Sequence, residues 1–467
     1  MRTPLPRAHL QRARRRPPCH WVLALAGLLL ALAPASAQER ILPFAHTLDR
    51  LDNGLTVVTV PTNAKGIIAY YSVVRTGSMD EVEEGKTGFA HFFEHMMFRG
   101  TEKYDPKAYS AVLQGHGADA NAYTTSDYTA YYIVAPKSAL DDIIDLESDR
   151  FMHLKYKEDD FKTEAGAVLG EYNKAYHSPR MKMWEAISET AFDAHTYKHT
   201  TIGYLDDIKA MPEGFEYSLN FFKRHYTPDN TTLIVAGDID RDTLLPKVKA
   251  AYDVWKGTHD APKVTAEPAQ AEPKKRHLSW PRATAPLITV AWKTPAFSTA
   301  STDTAALEVA AALLFGETSP LYQDLVLKEQ LAVSLSHSGD WHHRDPHLLM
   351  VQVRLKDPAA IDGIVERIQA EATKLAEGQV DAERLASVKS HTRYGQLMGL
   401  ETPNQIAQHL AAIFGVAGDV AAAEGHLAQI AKVQAADLQR VASTYLVPKG
   451  STVITLSHTP EAEEASK

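Results

Sequence analysis

FFKRHYTPDNTTLIVAG at residues 221–237 and VASTYLVPKGSTVITL at residues 441–456 follow one order: helical text, a proline, then a strand rich in β-branched residues. The prolines, Pro228 and Pro448, lie 220 positions apart. Upstream of each, the same succession recurs. Strand-like text opens both halves, at Leu55 to Pro61 and Ile67 to Val74 in the first and at Leu287 to Trp292 in the second. Helical text follows at Gly88 to Phe98 and at Thr304 to Phe315. A second strand region comes next, at Tyr128 to Val134 and Leu348 to Leu355, and then amphipathic helices. The stretch KGTHDAPKVTAEPAQAEPKKR (residues 256–276) between the halves is rich in Pro, Ala and charge, without a hydrophobic period, and reads as a linker. Duplication of one α+β unit is the economical reading, against two unrelated α+β domains with similar endings.

The chain has 467 residues, 45% hydrophobic and 23% charged, too long for one compact core. Arg2, Arg7, Arg12, Arg14, Arg15 and Arg16 precede an apolar run from Trp21 to Ala33 and the small residues Ala35, Ser36 and Ala37. That is the layout of a signal peptide cleaved after Ala37, and the run is shorter than the ~20 residues that span a bilayer. The expected organisation is therefore a signal peptide at 1–37, a first domain at 38–255, a linker at 256–277, a homologous second domain at 278–459 and a flexible tail at 460–467. Cleavage removes six Arg and no acid, taking 49 basic residues to 43 against 58 acidic ones. Such an acidic chain disfavours nucleic-acid binding. The single cysteine, Cys19, leaves with the signal, so thiol chemistry is excluded. No later segment reaches 18 consecutive apolar residues, and no stable membrane anchor is expected. The predicted location is periplasmic or secreted.

The chemistry-bearing text is KTGFAHFFEHMMFRGT at residues 86–101. On a helix, His91 and His95 project from one face one turn apart, as two ligands of one cation must, with Glu94 beside them. Phe92, Phe93, Met96, Met97 and Phe98 make this helix apolar nearly all round, which predicts burial. Buried imidazoles and a carboxylate need compensation, and a divalent metal supplies it. Two His ligands need a third protein group if zinc is to keep an open position. The stretch EDDFKTEAGAVLGEYNKAYHS offers Glu164 and Glu171, two turns apart on one face. Spacing alone does not rank them. Gly166 and Gly170 weaken that helix by ~1 kcal/mol each, which predicts that another backbone approaches closely there.

The order H-x-x-E-H with a downstream glutamate helix resembles the pitrilysin or insulinase-type zinc peptidases, the inverzincins of family M16. The two-half layout is similar to their short bacterial and mitochondrial-processing-peptidase-like branch. The resemblance implies two homologous domains, each a mainly antiparallel sheet with helices packed on one face, joined into a clamshell whose facing surfaces enclose a chamber. It implies one Zn2+ per chain held by His91, His95 and Glu171, the last reached by the family's 76-residue spacing from the second histidine. Glu94 becomes the general base, Glu164 an accessory glutamate orienting a ligand, and Asn121 and Ala122 an edge strand that pairs with peptide substrates.

The resemblance also exposes a departure. Active relatives carry an Arg and a Tyr seven residues apart in the second half, but LYQDLVLKEQLAVSLS has Val333 at the Tyr position and Val326, Leu327 and Lys328 near the Arg position. A partner is therefore implied: a heterodimer with a homologous subunit carrying the Arg and Tyr, with a homodimer possible, or takeover by Lys328 or Tyr322. The rival function is a non-catalytic assembly or scaffold subunit. Two further histidine groups read as structural: His195 and His199 in HTYKH, and His337, His342, His343 and His347, expected to be exposed in a loop or strand end.

Overall fold

The computed structural model describes residues 42–338 and 341–459; the expected signal peptide and tail lie outside the described residues. Strands β1 (Thr47–Arg50), β2 (Thr56–Pro61), β3 (Ile67–Val74), β4 (Asp119–Thr124), β5 (Thr129–Pro136) and β6 (Thr231–Gly237) form a first sheet in the order β1-β2-β6-β3-β5-β4. Strands β7 (Lys274–Trp280), β8 (Leu287–Thr294), β9 (Ala332–Ser338), β10 (His347–Leu355) and β11 (Ser451–His458) form a second, ordered β7-β11-β8-β10-β9. Without β1 the first sheet repeats in the second strand for strand. Even the single parallel pair recurs, β2 with β6 and β7 with β11, all other neighbours being antiparallel. The sheets are thus mainly antiparallel and duplicated.

Runs such as IIAYYSVV in β3 are apolar without alternation because both faces of the strand are buried. One face, including Ile68, Tyr70, Val74, Leu233 and Val235, shares a core with the helix Phe89–Met96. The other face, including Val58, Val60, Ala69, Tyr71, Val73 and Ile234, packs on Ile406, Leu410, Ile413 and Phe414, in the helix Pro403–Ala417 from the second half. The exchange is reciprocal: Met183, Ala186 and Ile187, in the helix Pro179–Ala191, cover Ala291, Leu348, Ile454 and Leu456 of the second sheet. Each buried Leu, Ile or Phe contributes about 1.5–3 kcal/mol, so the crossed helices join the halves firmly. One face of each sheet is thus covered by a helix from the other half.

The linker differs from expectation at its end. Strand β7 begins at Lys274 and takes the last four residues, because KKRHLSW serves as an edge strand whose charged residues stay exposed. Before it, Glu267 accepts hydrogen bonds from the N–H groups of Asp193 (2.9 Å), Ala194 (2.9 Å) and His195 (3.0 Å) and pairs with Lys293. Burial opposes ionisation of Glu267, but Lys293 and these N–H groups hold its carboxyl down at about 2. The Pro-rich stretch is pinned to the first half.

Candidate metal centre

The helix Phe89–Met96 starts at Gly88, whose φ of 91° lies in the left-handed region that glycine tolerates. Its first N–H groups are satisfied by the buried carboxylate of Glu81, which accepts from Gly88 (2.7 Å) and Ala90 (2.6 Å). A negative group there complements the helix dipole. Phe92, Phe93, Met96 and Met97 are buried as predicted, whereas Phe98, past the helix end, is only partly buried. The Phe92 ring meets Phe161 edge-on with centroids 4.9 Å apart, docking this helix on the glutamate helix Glu158–Tyr176.

That docking brings the ligand candidates together. His91 Nε2 lies 3.7 Å and His95 Nε2 3.6 Å from the same Glu171 oxygen, Oε2. Both separations exceed a hydrogen bond. They are near the ~3.3–3.4 Å between neighbouring ligands of a tetrahedral zinc with bonds of ~2.0–2.1 Å. The donor set thus fits a zinc ion. His91 Nδ1 is buried without a hydrogen-bond partner among the described residues. Burial, and secondarily the neighbouring His95, lowers the pKa of His91 to about 4, so at neutral pH its ring is uncharged and free to donate a lone pair. Glu171 is about half exposed, and the triad faces the chain's surface.

The two glutamates that spacing leaves unranked occupy different places. Glu164 is buried and its Oε1 lies 2.8 Å from His95 Nδ1, which directs Nε2 of that ring to Glu171. The other oxygen of Glu164 pairs with the Arg99 guanidinium. Burial raises the pKa of Glu94, opposed chiefly by the Thr124 hydroxyl, which donates to Glu94 Oε2 at 2.7 Å. The glycine expectation is corrected: a Cβ on Gly166 or Gly170 would meet nothing within 4 Å, so no backbone approaches either, and nothing in the structure explains them.

Asn121 and Ala122 lie on β4, at the open edge of the first sheet, and the Ala122 N–H donates to Asn121 Oδ1 (2.9 Å). The turn after β4 is clamped by the second half. Asp127 accepts from the Tyr197 hydroxyl (2.7 Å) and the Arg344 N–H (2.9 Å), and His343 Nδ1 lies 2.7 Å from its other oxygen. The Arg344 guanidinium reaches Asp80 Oδ2 at 2.5 Å. His343 and His347 are therefore not exposed loop histidines: they stack with ring centroids 3.5 Å apart where the halves meet, packed against Tyr197. His195 and His199 flank the single turn Thr196–Lys198, both buried, instead of sharing a helix face. Lys328 is exposed and pairs with Asp324 (2.9 Å), and Val333 is exposed.

Sequence reasoning missed Glu81, Arg99 and Thr124. Arg99 carried a signal, one turn beyond His95; Glu81 and Thr124 reach the site only through the fold.

Residues 57–204 match the model for "Insulinase (Peptidase family M16)" and residues 216–391 that for "Peptidase M16 inactive domain". The chain belongs to peptidase family M16. Among M16 relatives, the zinc protease PqqE of Helicobacter pylori is 27% identical over 450 residues, covering 93% of this chain and 98% of its own. The beta subunit of the mitochondrial-processing peptidase of Dictyostelium discoideum is 28% identical over 204 residues, 43% of this chain and 42% of its own. The crystal structure of a protease from Helicobacter pylori superposes with a TM-score of 0.83 at 26% identity, covering 89% of this M16 chain and 99% of that one. The periplasmic protease PqqL from Escherichia coli shares the fold, with a TM-score of 0.74 at 18% identity, over 91% of this chain and half of that one.

Proposed function

We propose that this M16 chain is an exported zinc endopeptidase acting on peptides or unfolded segments, with its metal site in a domain spanning residues 38–255. The observation that carries it is the convergence of His91 Nε2, His95 Nε2 and Glu171 Oε2 beside the half-buried Glu94. A zinc ion held by those three residues would supply Lewis acidity, bringing a water's pKa to about 7 and polarising a peptide carbonyl. Glu94 takes the proton released as water attacks and returns it to the leaving amine. Glu164 holds the His95 ring in its donating orientation. The open edge of β4, at Asn121 and Ala122, takes the extended substrate by strand addition.

The family's carbonyl-orienting Arg and Tyr are replaced in the text Val326 to Val333, and the triad faces solvent. A homologous subunit bringing that pair completes the site as a heterodimer; a homodimer is the second arrangement. The name of the periplasmic PqqL and the Arg-rich, apolar N-terminus support export to a periplasm.

The test is metal content and peptide cleavage of the purified chain, with and without such a homologue. One zinc per chain is expected, with Glu94→Gln retaining it and losing about 10²–10⁴-fold in cleavage. A wild-type chain without zinc, or a Glu94→Gln variant of full activity, overturns the reading.

A further inference from the structure

Glu94 has two carboxylate oxygens, and the structure treats them differently. Oε2 accepts the Thr124 hydroxyl at 2.7 Å, the one side-chain hydrogen bond to either oxygen among the described residues, and the Thr124 backbone N–H also favours the ionised carboxylate. Thr124 is the last residue of β4, paired across the ladder with Thr129. Thr129's hydroxyl proton goes to the Thr76 carbonyl at 2.9 Å, and Thr124's own proton goes to Glu94 Oε2 at 2.7 Å, much closer than the Thr129 oxygen at 3.5 Å. The strand end is fixed on both sides. The Thr125 N–H donates to the Tyr128 carbonyl (2.8 Å), and the Thr125 and Ser126 carbonyls accept from Ser78 and Met79 (3.2 and 2.8 Å). Glu94 is held from a second element, one that its own helix does not control.

We infer that Thr124 is a positioning residue for Glu94: its hydroxyl ties down Oε2, fixes the carboxylate plane and leaves Oε1 as the oxygen that accepts a proton in the site. This rests on the peptidase reading above. The same strand carries Asn121 and Ala122, so the segment that would take an extended peptide also sets the orientation of the base. A carboxylate without this tether rotates about its last torsion, which is broad and roughly two-fold, and presents Oε1 in the required direction for a smaller fraction of the time.

The test is a double-mutant cycle on the zinc-loaded chain with a peptide hydroxamate, a probe that needs no turnover and whose hydroxyl hydrogen-bonds to a carboxylate beside the metal. Thr124→Val keeps the side-chain shape and the strand preference while removing the hydroxyl. It should leave zinc affinity within about twofold and weaken hydroxamate binding about tenfold, ~1.4 kcal/mol. In the Glu94→Gln background the same change should have little effect, and Thr124→Ser should restore wild-type binding. Where cleavage is measurable, kcat should fall while KM stays nearly constant. Equal weakening in both backgrounds, or none in either, overturns the inference and leaves the peptidase reading standing. A zinc-loaded wild type that binds no hydroxamate overturns both.

Discussion

Arg344→Met tests how strongly the second half braces the metal centre. The guanidinium sits between two buried carboxylates, 2.5 Å from Asp80 Oδ2 and 3.5 Å from Asp127 Oδ1, and methionine retains much of the stem while deleting the charge. Burial raises the pKa of Asp80 and Arg344 opposes the rise. For Asp127 burial also works upward, but His343 and Arg344 outweigh it and hold the carboxyl well below the usual range. Removing one partner of a buried pair typically costs about 3–5 kcal/mol, and here Asp80 loses its cation while Asp127 keeps His343. The sign with pH follows from Asp80. Without Arg344 its folded pKa moves further above the ~3.9 of an unfolded Asp, so the variant's penalty is full at neutral pH and shrinks as pH falls through that raised value. Asp127, with its depressed pKa, contributes stability that is present above ~3.9 and is lost only in stronger acid. Urea unfolding of the zinc-free chain at about pH 7.5 and about pH 5.5 measures both effects. The denaturant slope exceeds the ~1–3 kcal/mol/M of small proteins, so the midpoint should drop by roughly 1 M at the higher pH and by less at the lower. An unchanged midpoint, or a gap that widens on acidification, refutes the reasoning.

The two glutamates should separate in a metal titration: Glu171→Gln should nearly abolish zinc binding, whereas Glu164→Gln should cost about 10–100-fold in affinity or activity. The reverse order would exchange their roles. Groups aimed at a developing oxyanion are worth about 2.7–4 kcal/mol each, so mixing this chain with a homologue that has the Arg and Tyr but lacks HxxEH should raise cleavage by about 10²–10³-fold. Full activity from this chain alone, unchanged by the homologue, removes the need for a shared site.

By itself the sequence determined what local periodicity encodes. The i, i+4 spacing of His91 and His95 places both on one helix face with Glu94 adjacent, because 3.6 residues make a turn. The apolar runs of β3, β8 and β11 announce strands, and the recurrence around Pro228 and Pro448 announces a duplicated unit, while the second helical layer on each sheet came only with the fold. Strand β7 was not legible, since a charged edge strand and a linker have the same composition. Nor does period rank Glu164 against Glu171: the two share a helix face, and only the docking of Phe92 on Phe161 sets one at His95 Nδ1 and the other before both Nε2 atoms. Tertiary structure alone decided the exchanged helices, the hydroxyl of Thr124 on Glu94 and the clamp of Arg344 on Asp80 and Asp127. Those partners lie far apart in sequence, and nothing in a residue's local spacing records which distant surface packing will bring against it.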